Sequence, residues 1–115
     1  MEKPILSLVE HVKFSGEQQT FEFDARIDTG AQNSSIDLVM AQKLKLGPII
    51  KTKSIRNSHG ITLRPVVEAT ITLQGKTLTA EFTISNRTKM KYKALIGQNI
   101  LKEGFLIDPS QGAKK

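Results

Sequence analysis

The chain has 115 residues, with 17 Lys and Arg against 11 Asp and Glu, a formal net charge of +6 and no cysteine. That length suits one domain, residues 1–115, with a modest core. No apolar run approaches the roughly 20 residues of a membrane-spanning helix, and the lack of cysteine excludes disulfides and thiolate metal sites.

The first segment, "PILSLVEHVKF", reads as a strand, and "SGEQQ" as the turn after it. No long apolar stretch precedes Glu10 and no small-residue cleavage site follows, so the start reads as mature protein, expected in the cytoplasm. "FEFDARID" alternates Phe21, Phe23, Ala25 and Ile27 against Glu22, Asp24, Arg26 and Asp28, the period of a half-buried strand. Asp28 closes that strand on its polar side, and Thr29-Gly30 must turn the chain. Glycine permits backbone angles that other residues resist, and threonine's hydroxyl can bond backbone across a tight junction. By itself Asp-Thr-Gly is also a good turn tripeptide. A carboxylate held at such a turn can act as a general base when a second group sets its protonation, and a second carboxylate is the economical choice.

"IDLVMAQKLKLG" predicts a short helix capped by Asp37 and closed at Gly47, with Leu38, Met40, Ala41 and Leu44 on one face. Pro48 and Pro65 bracket a polar segment read as irregular, with Ser58-His59-Gly60 as a hairpin tip. "VVEATITL" and "TLTAEFTIS" flank "QGK" and predict a hairpin from Val66 to Ser85. "ALIG" and "GFLID" read as short strands, and "QNILKEG" as a second helix closed by Gly104. The sum is a mostly-β domain, a small barrel or sandwich.

Charge is unevenly placed. No acid lies between Asp37 and Glu68, an interval holding Lys43, Lys45, Lys51, Lys53, Arg56 and Arg64. A second acid-free run, "NRTKMKYK", holds Arg87, Lys89, Lys91 and Lys93. Such a surface draws polyanions, either nucleic acid or acidic peptide, unless it is only a solvated basic face. Nucleic acid is the weaker reading, because only Tyr92 and five Phe could stack on bases, and Phe21, Phe23 and Phe82 read as core.

"ARIDTGAQNSSIDLVMAQKLKLG" resembles the active-site segment of retropepsin-like aspartic proteases, and "ALIGQNILKEGFLID" resembles their second landmark, two apolar residues and a glycine leading into a helix. The stretches "SHGITLRPVVEATITLQGKTLTAEFTISNR" and "ISNRTKMKYKALIGQNILKEGFLIDPS" are similar to the branch named as ATP-dependent zinc proteases, RimB-like proteins linked to RimK-type glutamate ligases. The resemblance covers roughly residues 21–110. It implies an all-β, closed retropepsin-like barrel with one or two short helices, one lobe per chain. It implies that Asp28 is the catalytic acid, that Thr29 locks the two active-site loops together, and that Gly30 leaves room for substrate. Ala31 takes the small residue's place, and Ser58, His59 and Gly60 belong to a flap over the substrate. Leu95, Ile96 and Gly97 lie beneath the loop, Ile96 and Gly97 counting with Ala31 and the flap as the substrate-binding set.

One Asp-Thr-Gly in a chain half the length of a two-lobed protease implies a homodimer with one Asp28 from each subunit. The fold analogy makes "PILSL" and "FLIDPS" its interface strands. Where family members carry an Asp and an Arg that pair, this chain has Gln32 and Gln98, from which a neutral amide contact is expected. No cofactor and no metal follow from the residues. His11 and His59 are far apart, no His-Glu-x-x-His occurs, and no Gly-x-x-x-x-Gly-Lys-Ser/Thr loop is present, so neither half of the name "ATP-dependent zinc protease" has residues to carry it. The expected activity is aspartic endopeptidase on acidic or polyglutamyl peptides. The rivals are a catalytically weak binding or regulatory module of the same fold that partners a glutamate ligase, and a basic β-barrel that binds nucleic acid.

Overall fold

A computed structural model describes residues 2–111. The N-terminal segment forms two strands, β1 (Ile5–Leu6) and β2 (Val9–Ser15), and β3 (Thr20–Ile27) returns antiparallel to β2. After the Asp28 turn come β4 (Ser34–Asp37) and α1 (Leu38–Lys43). The next strands are β5 (Lys51–Asn57), β6 (Gly60–Leu73) and β7 (Lys76–Ser85). The chain ends with β8 (Ala94–Ile96), α2 (Gln98–Leu101) and β9 (Leu106–Ile107).

Sheet order is β2-β3-β8-β4-β7-β6, and β6 pairs back onto β2, so these 6 strands close a barrel. Closure removes the open edges that an antiparallel sheet of this size would otherwise expose. The parallel pairs are β3 with β8 and β4 with β7, and β8 lies antiparallel to β4 between them. Outside the barrel, β1 and β9 form a parallel pair of their own within the chain.

The core grows from the alternation seen in the sequence. Phe14 is fully buried, stacks on Phe23 with centroids 4.7 Å apart and meets Phe82 edge-on at 5.3 Å. Ala25, Ile27, Ile36, Val67 and Ile71 fill the space around them, while Phe21 and Phe23 pack against this cluster from partly exposed positions. On the outer face the hydroxyl pairs Thr70–Thr79 and Thr72–Thr77 bridge β6 and β7 at 2.8 Å each. The β6–β7 turn is Gln74-Gly75, with φ of 48° and 78°. Positive φ at both central residues gives the turn whose twist matches a two-residue hairpin, and glycine takes the second without strain.

Several elements differ from the sequence expectations: the N-terminal strand is broken at Ser7-Leu8 into β1 and β2, and α1 ends at Lys43, short of Gly47. The segment between Pro48 and Pro65 is a regular hairpin: β5 pairs with β6 from Lys51↔Val66 to Asn57↔Gly60. Its polar residues occupy both faces, so period two leaves no apolar stripe to read. In α1, Asp37 caps the helix by accepting from the Val39 N–H at 3.1 Å, as expected, and Ala41 and Leu44 are buried, but Leu38 is 45% exposed. A six-residue helix turns too briefly to bury a full four-residue stripe.

Candidate active-site loop and cleft

The loop that follows β3 is held from beneath. Asp28 N–H donates to the Ile96 carbonyl at 2.9 Å, extending the β3–β8 ladder by one residue. The half-buried Asp28 carboxylate accepts from Gly30 N–H at 2.9 Å, a local turn just past the end of β3 that leaves the acid partly open to solvent. Gly30 takes no left-handed backbone here. Its value is space, since a Cβ would sit 3.3 Å from Asp28 Oδ1 and crowd the carboxylate.

The start of α2 clamps the same loop. Gln98 N–H donates to the Ala31 carbonyl at 2.8 Å and Asn99 N–H to the Gln32 carbonyl at 3.2 Å. Gln98 Nε2 donates to the Thr29 carbonyl at 2.7 Å. The first N–H groups of a helix have no partner within it, and here the loop supplies their acceptors. The expected amide contact between Gln32 and Gln98 takes another form: the Gln98 side chain holds Thr29 backbone, and Gln32 is engaged through its own carbonyl. Ser34, fully buried, accepts from Gly97 N–H at 2.9 Å and donates to Asn99 Oδ1 at 2.7 Å. Asn99 Nδ2 in turn donates to the Glu81 carbonyl of β7 at 2.9 Å. Gly97 is pressed so close to the loop that a Cβ would run into the Asn33 carbonyl and lie 2.8 Å from the Ala31 carbonyl oxygen.

The structure therefore brings Asp28, Thr29, Gly30, Ala31, Ile96 and Gly97 together. Ile96 is fully buried and Gly97 is enclosed, so both act beneath the loop, while Thr29 and Gly30 are exposed. Ser58, His59 and Gly60 stand apart at the exposed tip of the β5–β6 arm. The arm meets the loop nearer its base: Lys53 Nζ donates to Asn33 Oδ1 at 2.8 Å, and Lys51 pairs with Glu81 at 3.0 Å.

Between arm and loop lies a cavity of about 240 Å³ whose lining includes Ala31, Gln32, Asn33, Ile55, Arg64 and Arg87. Arg64 and Arg87 also line a larger adjoining cavity of about 470 Å³, with Thr62, Leu63, Asn86 and Met90. Arg87 is 9% exposed and its Nε donates to the Tyr92 carbonyl at 3.0 Å. Its backbone N–H donates to Asp37 Oδ1 at 2.6 Å. Burial pushes the Arg87 guanidinium below its ordinary pKa and the nearby Arg64 charge adds to this, while Asp37 opposes it. Sequence reading missed Ser34, Asn99 and the convergence of Arg64 with Arg87. The first two show in sequence only as polar residues near the landmarks, and the arginines lie in separate basic runs.

Among the described residues no group of three or more His, Asp or Glu gathers in a way that could hold a metal ion, and no helix is long and apolar enough to cross a membrane. His11 lies on the outer face beside Asp24, 3.1 Å away, and Glu22, 3.7 Å away.

Comparison with known proteins agrees with this architecture. The Legionella pneumophila protein Lpg0085, of unknown function, is 22% identical, superposes with a TM-score of 0.68, and the match covers 96% of this chain and 97% of that one. EIAV protease complexed with an inhibitor is 17% identical, with a TM-score of 0.67 over 89% of this chain and 88% of that one. Simian foamy virus protease is 20% identical, with a TM-score of 0.60 over 82% and 91%. Identities this low speak to a shared fold, which is retropepsin-like. Among curated relatives, the probable alpha-L-glutamate ligase of Shewanella halifaxensis (strain HAW-EB4) is 31% identical over 76% of this chain and 24% of its own length. The corresponding protein of Desulfotalea psychrophila (strain LSv54 / DSM 12343) is 28% identical over 75% and 24%. The chain thus spans about a quarter of the length of these relatives. Residues 41–113 match the RimB-like family, described as "Retropepsin-like aspartic endopeptidase RimB", a span that begins after the Asp28 loop. The chain belongs to the RimB-like family of retropepsin-like domains.

Proposed function

We propose that the protein is a homodimeric aspartic endopeptidase in which two Asp28 carboxylates, one per subunit, activate water for peptide hydrolysis. The observation that carries this reading is the Asp28 loop: a partly exposed carboxylate just past the end of β3, its backbone tied to Ile96 below and its flanking carbonyls clamped by α2. Two such acids across a two-fold axis cannot both be ionised at close range and share one proton. The ionised carboxylate takes a proton from water as the oxygen bonds to the scissile carbonyl carbon. The protonated one gives its proton to the carbonyl oxygen. The tetrahedral diol then collapses, the C–N bond breaks, and the amine leaves with a proton. Ser58, His59 and Gly60 close over the substrate from the arm, and Ala31 lines its path. The exposed Ile5, Leu8 and Leu106 beside β1 and β9 offer apolar surface for the second subunit.

The substrate in this reading is acidic peptide, including polyglutamyl tails. Lys53, Arg64 and Arg87 around the loop favour a negatively charged chain, and the glutamate-ligase relatives supply a reason for such a chain to be present. The test is cleavage of a glutamate-rich peptide and a length-matched neutral peptide by wild type and Asp28→Asn. Wild type is expected to cleave the acidic peptide faster, and Asp28→Asn to lose at least about 10²-fold in kcat. Equal rates for the two proteins would overturn the assignment of Asp28.

A second reading, a regulatory module that docks on a RimK-type ligase, is favoured by the names of the curated relatives and by the neutral Gln98 where a paired arginine is the family habit. A dimer that cleaves neither peptide yet binds such a ligase would establish it.

A further inference from the structure

We propose that Arg64 and Arg87 form a carboxylate-recognition subsite beside the Asp28 loop, reading an acidic side chain of the bound peptide. This deepens the peptidase reading and rests on its placement of the cleft, although the recognition itself requires no catalysis.

Arg64 lies on β6 and Arg87 in the loop after β7, in separate basic runs of the sequence, and the fold makes them neighbours. Both line the cavity next to Ala31, Gln32 and Asn33, and both line the larger cavity that adjoins it. No Asp or Glu lines either cavity. Asp37 lies against the Arg87 backbone but outside both linings, so two guanidinium groups border a space that no carboxylate lines, an arrangement that a bound carboxylate would relieve.

Each side chain is also presented for the task. Lys51, Lys53, Thr62, Arg64 and Val66 share the inner face of the β5–β6 arm, because directly paired residues point to the same side. The lysines of that face are engaged, Lys51 by Glu81 and Lys53 by Asn33. Among the described residues Arg64 has no such engagement. Arg87 is fixed by its Nε to the Tyr92 carbonyl. Among the described residues no protein acceptor holds its two terminal nitrogens, and Arg87 lines both cavities. An anchored guanidinium with two free donors in a partly desolvated site is suited to bidentate carboxylate recognition, and a second, more mobile arginine completes the grip.

The experiment uses full-length protein with two peptides of equal length, one carrying glutamate and one glutamine at every variable position. Affinity is measured by fluorescence anisotropy with Asp28→Asn protein, so that binding is read without turnover, and kcat/KM is measured with wild-type Asp28. Wild type is expected to favour the glutamate peptide, and Arg64→Gln to reduce that preference about 10-fold or more, the scale of one lost charge-assisted hydrogen bond. Arg64→Lys should recover only part of it. Arg56→Gln removes the same charge from the outer face of the arm and should leave the preference within about 2-fold. An unchanged preference in Arg64→Gln, or an equal loss in Arg56→Gln, would overturn the subsite. A binding preference lost in Arg64→Gln, with no cleavage by any protein, would uphold the subsite and reject the peptidase reading.

Discussion

At the residue scale, a few backbone approaches decide whether the candidate site exists. Gly97 is the clearest. Its N–H is spent on Ser34 Oγ and its Cα faces the Asn33 and Ala31 carbonyls without room for a methyl group. Those atoms are backbone and cannot swing aside. Gly97→Ala should therefore cost about 1–3 kcal/mol or more, seen as a fall in thermal midpoint, and should reduce any activity through the displaced Asp28 loop. Ser34→Ala probes the same junction from below. It leaves the Gly97 N–H without its partner and Asn99 with one bond fewer, so about 1–3 kcal/mol of stability should be lost in chemical denaturation. Neither residue could be weighted from composition or period. Asp28 and Gly97 were legible only as parts of a resemblance, because an acid at a turn and a glycine before a helix are common by themselves. Ser34 and Asn99 act through contacts 65 positions apart, which no local pattern encodes.

At the element scale, legibility followed apolar alternation. The β6–β7 hairpin was readable because Val67, Ala69 and Ile71 mark an inner face and Gln74-Gly75 supplies the turn. The arm of β5 and β6 was not, because Lys51, Lys53 and Arg64 sit on its inner face where an ordinary strand would be apolar. That polarity has a dynamic counterpart. From Gly60 to Pro65, β6 pairs with β5 alone, whereas from Val66 onward it is joined by β7. A two-stranded ribbon without a packed face is only marginally stable. Amide hydrogen exchange should therefore be fast in β5 and in residues 61–64, and slow from Val67 to Leu73. Uniform protection along β6 would contradict this division.

At the scale of the whole molecule, a closed barrel carries an arm on one side and the β1–β9 pair on another. The short, alternating strands narrowed the fold to a barrel or a sandwich and the family resemblance pointed to the barrel, but neither showed how its ends assemble. The segments expected at a dimer interface pair in parallel within one chain, through Ile5↔Leu106 and Leu6↔Ile107. In the proposed dimer each active site needs one acid from each subunit. Pre-incubating equal amounts of wild type and Asp28→Asn should then leave about a quarter of the dimers with two acids, and measured cleavage should fall accordingly. Additive activity, half that of the same total amount of wild type, would mean that single chains work alone.

The 14-residue β6 belongs to both bodies, since the strand that completes the barrel wall runs on without a break to form one rail of the arm. Pro65 occupies the first position beyond the β7 ladder, where no barrel strand needs its missing N–H. On its β6 side such an arm has no hinge loop to swing on, whereas β5 enters it through the irregular residues 44–50. If the arm closes over peptide as proposed, substitutions that tighten the β6–β7 wall should lower kcat/KM for long peptides more than for short ones, even though they touch neither the acid nor the arginines.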